Sequence, residues 1–194
     1  MAVGTGISQV YIAAYAASNG VVTYSEVERM ARLVKADPSL DVSDENKFHA
    51  DNVVAESDSG RMTSGTLTLT VDGLTNEMRK RVHGVAERTR NGVTGVADSV
   101  DGIAPYLGIG YVEREMMNGV TTYTPLIWTK TQAKPDVSSR QTQEDEIEWQ
   151  TTDEEFTILR DDTENHDYRW IGEPQTSEAA AVAVITQYFV GTGE

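Results

Sequence analysis

Residues 65–74 read GTLTLTVDGL, and no other stretch limits the fold of this chain as tightly. Thr66, Thr68 and Thr70 alternate with Leu67, Leu69 and Val71. A period of two fits a β-strand, and it sends all three hydroxyls to one face and all three apolar groups to the other. One face belongs to a core, and the other is wet or contacted. Upstream, KFHADNVVAESD at 47–58 is also strand-like, with Asp51, Glu56 and Asp58 among its polar positions. No nucleophile, metal-ligand spacing or phosphate loop accompanies these runs.

The rest of the chain extends the β reading. Gly6 to Ala17 is an apolar run closed by Ser18-Asn19-Gly20, which reads as a buried strand ending in a turn. Val21 to Val34 fits a short helix by the charges of SEVERMARLV or an irregular strand by its branched residues, and the strand is the preferred reading. Asp37-Pro38-Ser39 reads as a turn, since proline biases the residue before it away from helix. Asn118-Gly119 between YLGIGYVEREM and VTTYTPLIW predicts a hairpin over 106–128, with Pro125 demoting part of its second arm to an edge or bulge. In EDEIEWQTTDEEFTIL at 144–159, Ile147 and Trp149 alternate with Glu146 and Glu148, and Phe156 and Ile158 continue the pattern as half-buried strands. A short strand is read at Tyr168 to Ile171.

Two helices interrupt this pattern. Leu74, Met78, Val82 and Val85 recur at helical spacing, with Thr75 as N-cap and Gly84 as stop. Ser177 to Phe189 is alanine-rich, with Ser177 or Thr176 as cap and Glu178 in the first turn. The fold class is therefore mainly β, sandwich or barrel-like, with one central helix and one C-terminal helix. At 194 residues the chain suffices for one domain with a sizeable core and is short for two, so residues 1–194 are read as a single domain.

Composition narrows the function classes. A formal net charge of −15 disfavours a nucleic-acid binder that works by replacing phosphate counterions with Lys and Arg. The absence of cysteine removes disulfides, thiolate nucleophiles and zinc ribbons together. MAVGTGISQVY has no basic segment leading into an apolar one, so no signal peptide is expected. The most apolar run, Ala179 to Ile185, is far short of the roughly 20 residues a membrane helix needs. A soluble protein made in a cytoplasm is expected.

Each chemical motif is weaker than its bland counterpart. Glu146 and Glu148 share one face of a strand, which makes a charge stripe more readily than the paired carboxylates of a glycosidase. Asp161, Thr163 and Asn165 occupy the first, third and fifth places of a calcium loop, but His166 stands where that loop needs glycine and Gly172 where it needs glutamate. His49, His83 and His166 are far apart and read as surface or core histidines. GTGISQ lacks the third glycine of a dinucleotide fingerprint. No enzyme, metal or cofactor is expected. Arg79-Lys80-Arg81 is the only basic cluster. It fits the C-terminal half of a helix dipole, and in so acidic a chain Arg79 and Arg81 are read as salt-bridge partners for the acidic strands of a neighbouring copy.

The order of the pieces carries a resemblance. HADNVVAES is followed by a strand ending TLTVDGL, a short helix, APYLGIGYVEREMMNGV, YTPLIWTKTQAKP, a strand with EWQT, an acidic DD and a closing helix ending QYFVG. This progression, over roughly residues 1 to 190, resembles the major tail proteins of long-tailed bacteriophages, specifically the phi13-like family, which are related in fold to Hcp-type ring proteins. The individual words are short; their order and spacing carry the likeness. The chain departs from the family at Glu87 to Val100, a loop of its own, and in the threonine-rich 66–70.

The resemblance implies a tail-tube-like fold and a structural virion protein. It would form homo-hexameric rings that stack into a hollow tube, with tape-measure and tail-terminator proteins as further partners. It implies assembly in the host cytoplasm, residence in the phage tail, and no membrane. Asp51, Glu56, Asp58, Thr66, Thr68, Thr70, Arg79, Arg81, Glu146 and Glu148 are then the candidates for ring interface or lumen. If six subunits each give four strands, about 24 strands spaced ~4.8 Å and tilted ~40° close a circle of roughly 45–50 Å. Side chains narrow that to about 40 Å, wide enough for DNA to pass without specific binding. Ala55 to Ser64 or Val34 to Lys47 would bridge successive rings. The alternatives from other classes are a monomeric acidic β-sandwich binding module for carbohydrate or calcium, which needs an exposed aromatic cluster, and an acidic hydrolase, which needs two carboxylates converging in a pocket.

Overall fold

The computed structural model describes residues 3–44, 46–50, 53–58, 60–136, 142 and 150–191. Among them are twelve strands and two helices, so the chain is mainly β. The strands are β1 (Val3–Ser18), β2 (Val21–Ala31), β3 (Leu33–Val42), β4 (Asn46–Ala50), β5 (Val53–Asp58), β6 (Met62–Val71), β7 (Ala86–Arg90), β8 (Val93–Ala97), β9 (Tyr106–Met117), β10 (Val120–Ala133), β11 (Thr152–Leu159) and β12 (Arg169–Ile171). The helices are α1 (Asn76–His83) and α2 (Glu178–Val190).

One antiparallel sheet runs β2-β1-β9-β10-β11-β6-β3, with β12 added beside β10. Its two terminal strands are consecutive in the chain and separated only by Arg32. There the strand changes partner from β1 to β6, and Asp72 pins the corner. The Arg32 backbone N–H donates to the Asp72 carboxylate at 3.0 Å, and the Asp72 N–H donates to the Arg32 carbonyl at 3.2 Å. Bulges add curvature. Gln9 (φ 58°) and Glu26 (φ 53°) stand where the register of β1 shifts against β9 and β2.

The curled sheet sorts its side chains by period two. Ile12, Leu67, Leu69, Val71, Leu107, Ile109, Trp128, Phe156 and Ile158 face an interior core, and Met78 and Val82 of α1 join it. On the other face Ala13, Val112 and Ile127 meet Ala181, Ile185 and Phe189 of α2. The close seating of α2 needs Gly108 and Gly110. A methyl at Gly108 would lie 2.6 Å from Phe189 Cε1, and one at Gly110 would lie 2.7 Å from Ile185 Cγ2.

Most local expectations hold. The Thr75 hydroxyl accepts the Met78 N–H at 3.2 Å, and Gly84 ends α1 at φ 67°. Ser177 caps α2. Asn118-Gly119 closes the β9–β10 hairpin with φ of 52° and 80°, the two left-handed residues a type I′ turn requires.

Three expectations fail for identifiable reasons. Asp37-Pro38-Ser39 is not a turn but lies within β3, where Pro38 pairs with Leu67. Because β3 has no second strand partner among the described residues, a residue without an N–H can be accommodated there. Pro125 lies well inside β10, opposite Val112, and its carbonyl accepts the Gly172 N–H at 2.9 Å. The strand on that side, β12, is only three residues long, so the missing donor interrupts little. Residues 87–100 are not a loop throughout. Their first part is the β7–β8 hairpin, turned by Asn91-Gly92 at φ of 53° and 78°. Of the expected strands in 144–159, β11 is found, while Glu146, Glu148 and Trp149 lie outside the described residues.

Candidate functional site

The threonine ladder stands on the outer face of the sheet, between two acidic neighbours. Thr66, Thr68 and Thr70 face Thr157, Glu155 and Asp153 of β11 on one side and Ser39, Asp37 and Lys35 of β3 on the other. Directly opposed residues of antiparallel strands share a face, so these make three polar rows over the fully buried Leu67, Leu69 and Val71. Thr70 Oγ1 donates to Asp153 Oδ1 at 2.6 Å, Lys134 Nζ donates to Glu155 Oε2 at 3.0 Å, and Lys35 pairs with Asp37. The result is a hydroxyl-rich plane with fixed carboxylates along its flanks.

That plane reaches an open margin. Among the described residues, β3 pairs with β6 alone and β2 with β1 alone, so each leaves one edge without a strand partner. Between β3 and the first residues of β1 the sheet gapes in a cleft of about 420 Å³, lined by Gly4, Gly6, Ile7, Val34, Lys35 and Glu113 among others. At the far end of the β1–β9–β10 ribbon, Val3 stands opposite Met116 and Met117 opposite Val120. All four are exposed, Val3 and Val120 at 63%.

The β3–β6 pair continues outward. Its last pair is Val42↔Met62, after which β4 and β5 pair from Asn46↔Asp58 to Ala50↔Val53. Segments 34–47 and 55–64, two expected candidates for a bridge, therefore lie on opposite sides of these two successive antiparallel pairings. Glu56 stands opposite Phe48 in the second of them. Glu56 and Asp58 are placed by backbone register only, and Asp51 lies outside the described residues.

The basic run finds its acids within the chain. Arg79 pairs with Asp136, Lys80 with Glu77 at 2.8 Å and Glu87 at 2.9 Å, and Arg81 with Glu28 and with Glu26 at 3.5 Å. These contacts fasten α1 to β2, β7 and the segment after β10. They are contacts within one chain, and pairing of Arg79 and Arg81 with a neighbouring copy stays an expectation. The candidates therefore separate, with the threonines gathered on one outer face and the two arginines on α1, each paired with an acid of the same chain.

A buried polar cluster went unread in the sequence. His83, the last residue of α1, lies 2.9 Å through Nε2 from Glu154 Oε2 of β11, with side chains 6% and 1% exposed. Asp136, 9% exposed, is beside them, so one donor atom from each of the three lies within 4.8 Å of the other two. His83 Nδ1, Glu154 Oε1 and Asp136 Oδ1 are all buried with no hydrogen-bond partner among the described residues. Leaving such an atom unsatisfied costs about 1–3 kcal/mol. A signal for Glu154 was present, because counting back in twos from Ile158 and Phe156 puts it on the core face.

The other acid-rich segment behaves differently. Asp161 Oδ1 accepts from Thr163 N–H at 3.2 Å and Thr163 Oγ1 at 2.7 Å, while the Asp161 N–H donates to the Asp167 carbonyl at 2.8 Å. The carboxylate is thus spent on holding a compact turn in which His166 takes φ 56°. Asp162 closes an exposed cluster. It accepts from Lys130 at 2.6 Å and from Tyr15 at 2.7 Å, and these hydrogen bonds, the lysine's first, hold its carboxyl below the usual range.

Among the described residues no helix is long and apolar enough to cross a membrane. No protein-family model matches this chain, and no curated protein matches it.

Proposed function

We propose that this chain is the tube subunit of a long-tailed phage, a structural virion protein whose copies join margin to margin into hexameric rings and whose rings stack into a hollow tube for DNA. The observation that carries the reading is the pair of unlike sheet margins, β2 and β3, each lacking a second strand partner among the described residues. An open strand edge is a template for another chain, and soluble proteins normally cover or blunt it. Joining β2 of one copy to β3 of the next is a heterologous contact, which closes into a ring when the rotation permits.

Two further features support the reading. The hairpin continuing from β3 and β6 has the form of an arm for the next ring: among the described residues its outer strands β4 and β5 pair only with each other, and each residue adds ~3.4 Å of reach. The polar rows around Thr66, Thr68 and Thr70, with Asp37, Asp153 and Glu155, suit a wall that DNA slides past, because carboxylates repel phosphate. Six copies at −15 give a ring of about −90. Tape-measure and terminator proteins would complete the tail.

Size-exclusion chromatography over a concentration series, followed by negative-stain electron microscopy, tests the proposal. Rings or tubes are expected for the intact chain, and rings that no longer stack for a variant in which residues 46–58 are replaced by a two-residue turn. A monodisperse species of 21.3 kDa at high concentration refutes it.

A further inference from the structure

The three residues of the buried cluster come from separate parts of the chain, the end of α1, β11 and the segment after β10, and each brings a buried polar atom without a hydrogen-bond partner among the described residues. We propose that His83, Asp136 and Glu154 form a binding site for a divalent first-row transition-metal ion. The inference rests on this cluster alone and stands independently of any tube.

The donor set sets the class of ion. One imidazole nitrogen with two carboxylate oxygens suits zinc, cobalt or manganese, whereas calcium and magnesium favour all-oxygen shells. Bonds of ~2.0–2.2 Å hold ligand atoms roughly 3–4 Å apart, so donors already within 4.8 Å need only a small side-chain adjustment. Two of the orphaned atoms are carboxylate oxygens, which can only accept, and they need a cation or a donor in front of them. Arg79 already occupies the other oxygen of Asp136, which orients that carboxylate and leaves Oδ1 as the free ligand atom.

Access is provided as well. His83 and Asp136 line a cavity of about 440 Å³ that continues past Lys134 to Asp98 and Asp101. Water from it can complete the coordination shell, and the ion can enter along a path flanked by carboxylates. Once bound, the ion would tie α1 to β11 and to the segment after β10.

The test uses the full-length chain, treated with EDTA and dialysed, then titrated with Co²⁺ and Zn²⁺ by calorimetry and by visible absorption. Expected are one ion per chain, an intense Co²⁺ d–d band of four- or five-coordinate geometry, displacement of Co²⁺ by Zn²⁺ but not by Ca²⁺, and a rise in Tm with Zn²⁺. Losing a supporting residue around a metal weakens binding about 10–100-fold, so His83→Asn and Glu154→Gln, which remove ligands, should cost ~100-fold or more. Arg81→Gln, on the opposite side of α1, should leave the affinity unchanged. Asp136→Asn, nearer the cavity, serves if the deeper variants do not fold. The proposal is overturned by no saturable binding, by a weak six-coordinate spectrum in the unaltered chain, or by unchanged affinity in the ligand variants, which would place the ion on the acidic exterior.

Discussion

Replacing Gly110 with alanine tests how α2 is seated on the sheet. A methyl at this position would lie 2.7 Å from Ile185 Cγ2, 3.3 Å from Phe189 Cε2 and 3.4 Å from Ile127 Cγ1. Carbon atoms prefer about 3.5–4.0 Å, so the first contact is too close by roughly an ångström. Ile127, Ile185 and Phe189 are fully buried. Overpacking of this kind costs about 1–3 kcal/mol. Ile185→Ala removes the clashing methyl and leaves a cavity, at a cost of about 2–5 kcal/mol. In the double variant the clash is gone and the new methyl fills part of the hole. The combined loss should therefore fall short of the sum by about 1–2 kcal/mol, whereas unlinked sites add to within about 0.5 kcal/mol. Urea denaturation of the four proteins gives the cycle, at a concentration where chromatography shows one species. The probe is tryptophan fluorescence, since Trp128 is fully buried and Trp170 lies 5.1 Å from the Tyr188 ring of α2. Additive costs, or a Gly110→Ala variant as stable as the parent, would refute this seating of the helix.

Other perturbations read other parts of the structure. Thr75→Ala removes the acceptor for the Met78 N–H and should lower stability by about 1 kcal/mol, seen as a lower urea midpoint at unchanged slope. Tyr24→Phe leaves the Thr129 carbonyl without the hydroxyl that donates to it at 2.8 Å, a loss of about 0.5–1.5 kcal/mol by the same assay. Burial, then the charge of Glu115, raises the Glu113 carboxyl above its ordinary 4.5, with Arg169 acting in the opposite sense. The folded chain thus holds that proton more tightly than the unfolded one. Its contribution is fully present below pH 4.5 and is lost as pH rises through the raised value. Glu113→Gln should therefore flatten the fall in Tm above that point, and an unchanged pH profile would contradict the assignment.

Local rules were legible wherever a residue's neighbours in sequence were also its neighbours in space. Thr66 to Val71 declared its two faces, Thr75 and Gly84 bracketed α1, and Asn118-Gly119 closed its hairpin. What the sequence left unread arises where a distant segment decides. Pro38 lies in a strand because β6, far along the chain, pairs with it and no strand lies on its other side among the described residues. The cations of α1 are held by Glu26, Glu28 and Asp136, which nothing local brings near them. His83 and Glu154 are 71 residues apart, so no spacing rule could join them. Asn91-Gly92 was the exception, a local hairpin signal that a residue-poor flank of small and charged side chains concealed.

The corner at Arg32 gives the barrel a mechanical property. Because the two outermost strands are one uninterrupted stretch of backbone, a pull applied along that stretch from the β2 end reaches β3 through a covalent peptide rather than only through the six ladders of hydrogen bonds between them. An assembly gripping both sides would carry part of its hoop tension in bonds that do not shear, and the clasp between Arg32 and Asp72 would keep that short bend from straightening.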